Sequence, residues 1–141
     1  MATTTATFTL SSSDLLSTQA LSVSTTNTLY KAGATTGLDE MRMGRNEIPT
    51  GTSFDLLDAT TTGIDSASKV YIANRSTDET WYITIVIDAK TIGRLYAGDW
   101  MFIPWNQDDA THDLEVTSAG GTNIVEWACF HEGETLGTSA D

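Results

Sequence analysis

Trp81-Tyr82-Ile83-Thr84-Ile85-Val86-Ile87 is the stretch of this 141-residue chain whose reading decides the fold. Every residue in it is β-branched or aromatic, the side chains that fit a pleated, half-buried surface. Taken two at a time, Trp81, Ile83, Ile85 and Ile87 share one face, which predicts a strand with that face in a core. The run is also the longest of its kind in the chain, and it is far too short to span a bilayer. Outward from it the pattern repeats. Lys69 to Asn74 reads as a strand, followed by a turn over Arg75 to Glu79. Ile92 to Leu95 reads as the next, and Ala97-Gly98-Asp99 as a turn. Trp100 to Ile103 runs into Pro104, a residue that marks a strand end or an edge. Asp113 to Thr117 alternates with Leu114 and Val116 inward. Residues 119 to 123 turn, and Ile124 to Phe130 closes the set. Six strands separated by turn signals predict an all-β fold, an antiparallel β-sandwich or jelly-roll-like domain.

The first half is less regular. Thr7 to Leu10 and Ala20 to Tyr30 read as extended, and Ser13 to Thr18 as a single helical turn capped by Ser13 or Asp14. Four glycines (Gly33, Gly37, Gly44, Gly51) and Pro49 punctuate residues 31 to 53, which therefore read mostly as loop, with a short extended piece at Met41-Arg42-Met43. Phe54 to Leu57 restarts a strand. The resulting partition is an extended N-terminal arm and loop-rich interaction region over 1–53, a sandwich core over 54–132, and a polar C-terminal tail over 133–141. Ala, Thr and Gly bury too little apolar area to order themselves against about 1–2 kcal/mol of backbone entropy per residue. The segment through about residue 50 is accordingly expected to bind rather than to form core.

Composition narrows function. The chain holds 25 Thr and 12 Ser, and 7 basic against 19 acidic residues give a net charge of −12. That charge opposes binding to nucleic-acid phosphates or to an anionic membrane surface. The single Cys129 excludes an intramolecular disulfide framework, and no charged segment followed by an apolar stretch opens the chain as a secretory signal would. All seven basic residues lie between Lys31 and Arg94, while nine acids and no Lys or Arg fall from Asp99 to Asp141. The two ends of the surface therefore suit different neighbours.

Catalytic constellations are not legible. No Gly-x-Ser-x-Gly elbow, phosphate-binding glycine loop, Cys-x-x-Cys or His-Glu-x-x-His occurs. His112-Asp113 and His131-Glu132 are adjacent pairs, which in strands point to opposite faces. Asn106-Gln107-Asp108-Asp109 offers oxygens to a cation but lacks the glycine and distal glutamate of a calcium loop. Nineteen acids allow many carboxylate pairs, so a glycoside hydrolase with an unrecognised pair stays open. Cys129 reads as a small buried hydrophobe, and Asn74-Arg75-Ser76 as a glycosylation sequon at a plain strand end. No catalytic group, cofactor or metal site is expected. Most aromatics read as core. Trp105, between Pro104 and a polar loop, is the exception, read as packing under that loop or anchoring a partner.

Ile92-Gly93-Arg94-Leu95-Tyr96-Ala97-Gly98-Asp99-Trp100-Met101-Phe102-Ile103-Pro104-Trp105-Asn106 resembles small virion proteins of tailed bacteriophages, in particular the cement (decoration) proteins of cyanobacterial and aquatic phage capsids. The shared pattern takes in Lys69 to Asn74, Ile92 to Leu95, Gly98 to Trp105, Asp113 to Val116 and Val125 to Trp127. It covers residues 69 to 132, while the first 68 residues match only loosely. The resemblance implies a non-enzymatic structural protein on the outer surface of the capsid. Its partners would be the major capsid protein and further copies of itself, with a homotrimer favoured. A tail or head-fibre subunit and a carbohydrate-binding sandwich, with Trp105 or Tyr96 as stacking platform, are the alternatives. On this reading Lys31, Arg42 and Arg45 face carboxylates of capsid or sibling subunits, since acidic partners need local charge matching.

Overall fold

Alternating Val, Ile and Leu on a polar backdrop leave a strand with one greasy face, and strands of this kind are the centre of an eight-stranded sandwich. The computed structural model describes residues 4–15, 17–29, 40–57, 68–105 and 113–131. Its strands are β1 (Thr5–Ser12), β2 (Leu21–Thr28), β3 (Glu40–Ile48), β4 (Ser53–Leu57), β5 (Lys69–Asn74), β6 (Tyr82–Ile87), β7 (Lys90–Tyr96), β8 (Trp100–Pro104), β9 (Leu114–Ala119) and β10 (Asn123–His131). No helix occurs among the described residues. The strands form a β1-β2 ribbon and two four-stranded sheets, ordered β3-β10-β5-β8 and β4-β9-β6-β7. Every pairing is antiparallel.

Within the two sheets the first strand pairs with the last, β4 with β9, β5 with β8 and β6 with β7. That is one long antiparallel ribbon, hinged at the β6-β7 turn and rolled over so that one face is inside: a jelly roll. At the hinge, Asp88 and Ala89 have φ of 52° and 59°, as a two-residue type I′ turn requires. The register slips by one at Ile92, which β6 leaves unpaired and which is exposed. The core lies between the sheets. Val70, Ile72, Val125, Cys129 and Ile48 from one sheet meet Ile83, Ile85, Leu95, Leu114 and Val116 from the other. Each fully buried aliphatic side chain contributes about 1.5–3 kcal/mol.

A polar cluster joins the sheets at one end of this core. Asn74 and Asn123 are both fully buried. Asn74 Nδ2 donates to Leu95 O (2.9 Å) and to Asn123 Oδ1 (3.1 Å). Asn123 Nδ2 in turn donates to Ser118 Oγ (2.8 Å) and reaches Tyr82 O and Ala119 O (3.1 Å each). Ser76 closes the set, its Oγ donating to Asn123 Oδ1 and accepting from Ile124 N (3.0 Å each). β5 and β10 are thus tied to β6, β7 and β9. A buried polar group is tolerable only when its bonds are made, and here they are made across the two layers.

Two expectations change. Residues 40 to 48 are not loop: β3 is an edge strand, hydrogen-bonded along β10, and Ile48 is 1% exposed in the core. Its period-2 signal is weak because the inward positions are Arg42, Gly44, Asn46 and Ile48. Gly44 is there because the Trp127 indole lies over it; a Cβ would sit 2.8 Å from the ring, whose Nε1 donates to Asn46 Oδ1 (2.9 Å). The sandwich therefore starts at residue 40 rather than 54. The helical turn expected over Ser13 to Thr18 is, in its described residues, a bend. There Ser12 Oγ accepts from the backbone N–H of Asp14 and Leu15.

Candidate binding face

Parity along the strands fixes what the outer face of the β3-β10-β5-β8 sheet displays. Val70, Ile72, Val125 and Cys129 point in, so Tyr71, Ala73, Glu126, Ala128 and Phe130 point out. On β8, Met101 and Ile103 pack on the core while Trp100 and Phe102 face outward, 52% and 37% exposed. On β3 the outward residues include Met41 and Met43, 51% and 65% exposed. Cross-strand register lines up Met43, Ala128, Tyr71 and Phe102 in one row and Met41, Phe130, Lys69 and Pro104 in the next. The Phe102 and Phe130 rings are 6.3 Å apart. Beside these rows runs a charged one: Glu126 accepts from Arg45 (3.5 Å) and Arg75 (3.2 Å), and Arg75 also donates to Tyr71 Oη (3.1 Å). Such half-exposed pairs are worth about 0–1 kcal/mol each.

The β1-β2 ribbon stands against this face and is itself two-sided. One side is a ladder of hydroxyls: Thr5 opposite Thr28, Thr7 opposite Thr26, Thr9 opposite Ser24, Ser11 opposite Ser22. The Thr7 and Thr26 oxygens are 3.0 Å apart. The other side carries Ala6, Phe8 and Leu10 against Asn27, Thr25 and Val23. At its open end Leu29 is buried on Ala6, and Leu29 N donates to Thr4 O (2.8 Å). Phe8 meets Trp100 edge-on, centroids 6.4 Å apart. Between ribbon and sheet runs an open groove of about 1010 Å³, with Ala6, Phe8 and Leu29 on one wall and Tyr71, Trp100 and Phe102 on the other. Beyond Phe8 the apolar strip is bare, with Leu10 49% and Val23 43% exposed.

The residues singled out from sequence fall in different places. Lys31 lies outside the described residues, as do Asn106 to Asp109 and His112. Arg42 and Arg45, expected to act together, leave opposite faces of β3, because a separation of three reverses the face of a strand. Arg42 takes the inward parity of Ile48 and is half-buried; Arg45 joins the Glu126 row. Trp105 is 1% exposed, within the core cluster, and its backbone N–H donates to Ser68 O (2.9 Å). It is a core residue and not a partner anchor. Tyr96 belongs to the other sheet, its ring tilted against that of Tyr82 at 5.1 Å, with Arg94 over the Tyr82 ring. Cys129 is buried, and the Asn74 amide is engaged inside, out of reach of a glycosylating enzyme. The aromatic platform is Trp100 and Phe102, which the sequence pattern assigns to core. In Trp100-Met101-Phe102-Ile103 every residue is apolar, so alternation cannot say which two face out.

Among the described residues, electrostatics single out no reactive group. Burial, then the neighbouring Asp55 and Asp113 carboxylates, hold Glu115 above its ordinary value, on the outer face of the second sheet. Hydrogen bonds from the Thr80 hydroxyl and N–H hold Asp78 below its own. Among the described residues no three His, Cys, Asp or Glu side chains are placed to hold a metal ion, and no helix is long and apolar enough to cross a membrane.

The chain matches no protein-family profile and no curated protein. Among solved structures, a cupin protein from Bacteroides fragilis is similar to it: 19% identical over 72% of this chain and 75% of that one, with a TM-score of 0.36. The sandwich architecture rests on the strand order alone.

Proposed function

We propose that this protein is a non-enzymatic assembly component of a virion, a cement protein that binds the outer surface of a capsid and braces it across subunit seams. The observation that carries the reading is the pairing of an arm with a sticky face. A nearly uncharged ribbon with a bare apolar strip stands beside a sheet surface rich in Trp, Phe, Tyr and Met. Contiguous exposed apolar surface on a soluble domain marks a protein contact, and Met and aromatic side chains are the ones such contacts favour. Repetition of a modest contact over a symmetric shell supplies avidity. The major capsid protein is the partner in this reading, and a tail or head-fibre position uses the same surfaces. The test is co-purification with intact particles. Stoichiometry near that of the shell subunit, lost on deletion of residues 1–29, is expected; absence from particles contradicts the reading.

The groove favours a second reading, a carbohydrate-binding sandwich. Exposed Trp100 and Phe102 offer stacking faces, and Arg75, Tyr71 and Asn27 offer polar partners beside them. Titration with oligosaccharides, followed by tryptophan fluorescence, separates the two. A saturable change that Trp100→Ala abolishes supports the second reading, and a flat response removes it.

A further inference from the structure

We infer that β3 accepts a strand: an extended segment of the shell protein adds along its outer edge, held by main-chain hydrogen bonds, with Met41 and Met43 as the side-chain contact. The inference rests on the cement reading and names how the partner is held. Among the described residues, each sheet ends in two strands with a neighbour on one side only, β3 and β8 in one sheet and β4 and β7 in the other. Such edges invite stray pairing, and proteins blunt them with shortness, proline, bulges or charge. β8 has five residues and ends in Pro104, and Phe8 of the ribbon stands against its Trp100. β4 also has five, with an irregular register between Asp55 and Leu57. β7 slips by one at Ile92 and carries Lys90 and Arg94. β3 is neither short, bulged nor interrupted by proline. Its nine residues keep one register with β10, from Glu40 opposite His131 to Ile48 opposite Asn123, and Pro49 comes only after it.

The edge defines its occupant. Backbone N–H and C=O groups turned away from β10 recognise extended backbone, whatever its sequence. Side chains then narrow the choice. Residues of an added strand that lie opposite Met41 and Met43 come within about 4.5–5.5 Å of them, Cβ to Cβ. Met41 and Met43 are 51% and 65% exposed, and a thioether adapts to aliphatic or aromatic neighbours. The incoming segment therefore carries apolar residues two apart. Charge narrows it further. β3 holds Glu40, Arg42, Arg45 and Glu47, which sum to zero in a chain of net charge −12. It receives a neutral or acidic segment without net repulsion, whereas β4, with Asp55 opposite Glu115, repels an acidic one. Nine residues at about 3.3 Å each give a seam of about 30 Å. The ribbon and the aromatic face offer side chains to a partner; β3 offers its main chain.

The experiment is amide exchange on the full chain, free and on purified particles, read residue by residue from Met43 to Glu47. Alternate N–H groups of a strand point to opposite sides, so one set bonds to β10 and the other faces out. The set facing β10 is expected to be protected in both states. The outward set is expected to exchange fast in the free chain and at least about tenfold more slowly on the particle. Particles that carry the chain while the outward set stays fast overturn the inference and leave the cement reading standing. A chain that does not bind particles removes both. Outward amides that become protected in the free chain as its concentration rises assign the edge to a second copy, and that too overturns the inference. Two variants separate main chain from side chain. Met41→Thr/Met43→Thr keeps strand propensity and is expected to keep the alternating protection, with occupancy lowered by less than about tenfold. Met41→Lys/Met43→Lys blunts the edge and is expected to lose at least about tenfold in occupancy. Equal occupancy of wild type and the Lys variant, or a loss in the Thr variant as large as in the Lys variant, contradicts strand addition.

Discussion

The β1-β2 ribbon and the eight-stranded sandwich are both antiparallel β-structure rich in Thr and Ser, yet they are held by different means. In the sandwich each strand sends alternate side chains to a shared interior, where thirteen buried residues form one cluster. At the ribbon the only buried apolar side chain among the described residues is Leu29, at its base. Its order comes from backbone pairing, a row of hydroxyl contacts and one ring contact with Trp100. Two-stranded hairpins are marginal in water without further packing. The sandwich therefore carries its own core, while the ribbon depends on what packs against it. Stability and, on the proposed reading, binding fall to separate parts of one short chain.

The largest break in that contrast should come from the polar cluster. Asn123→Ala removes the acceptor of Asn74 and Ser76 and uncovers the Tyr82 and Ala119 carbonyls. At about 1–3 kcal/mol for each buried group left unpaired, the loss should be on the order of 3–4 kcal/mol in urea unfolding. Gly44→Ala comes next, at about 1–3 kcal/mol, because the new methyl must displace the Trp127 ring. A loop at residues 40–48 would absorb it without cost, so this variant decides to which region β3 belongs. Ala89→Gly should add about 0.5–1 kcal/mol by relieving a left-handed alanine at the hinge.

Glu115→Gln should raise stability by a smaller amount, about 0.2–1 kcal/mol, by removing like charges across β4 and β9. Since the folded pKa lies above the unfolded one, the native state binds the extra proton between the two values. Native glutamate therefore costs stability at neutral pH, and that cost fades as pH falls through the folded pKa. The gain from Gln should be seen at pH 7 and be absent in acid. Least of all should Phe8→Ala matter to global unfolding. It frees the ribbon from Trp100, and the denaturation midpoint should hardly move.

How much of this was readable in the sequence follows from where one strand face is apolar and the other is not. Ile83 and Ile85 on β6, and Leu114 and Val116 on β9, announced themselves by alternation, and with them the sandwich. β3 hid because an arginine, a glycine and an asparagine occupy inward positions, the glycine and the asparagine meeting the Trp127 ring, which no local pattern announces. Trp100 and Phe102 hid for the opposite reason, a run apolar on both faces. Trp105, beside proline and a polar loop, left two readings open, packing under that loop or anchoring a partner, and only the closed fold, which buries it, chooses between them. The polar cluster joins residues as far apart as Asn74 and Asn123, and no local pattern marks such a pair. The ribbon's two faces were in the sequence, in Thr5-Ala6-Thr7-Phe8-Thr9-Leu10, but their register with residues 21 to 28 was not.

The most direct test is amide hydrogen exchange on the full chain, free and bound to purified particles. The account predicts that β5, β6, β9 and β10 are protected in both states. The ribbon, residues 5–12 and 21–28, should exchange fast when free and become protected when bound. A ribbon equally protected in both states, or equally unprotected in both, would contradict the claim that the sandwich carries the fold and the ribbon carries the binding.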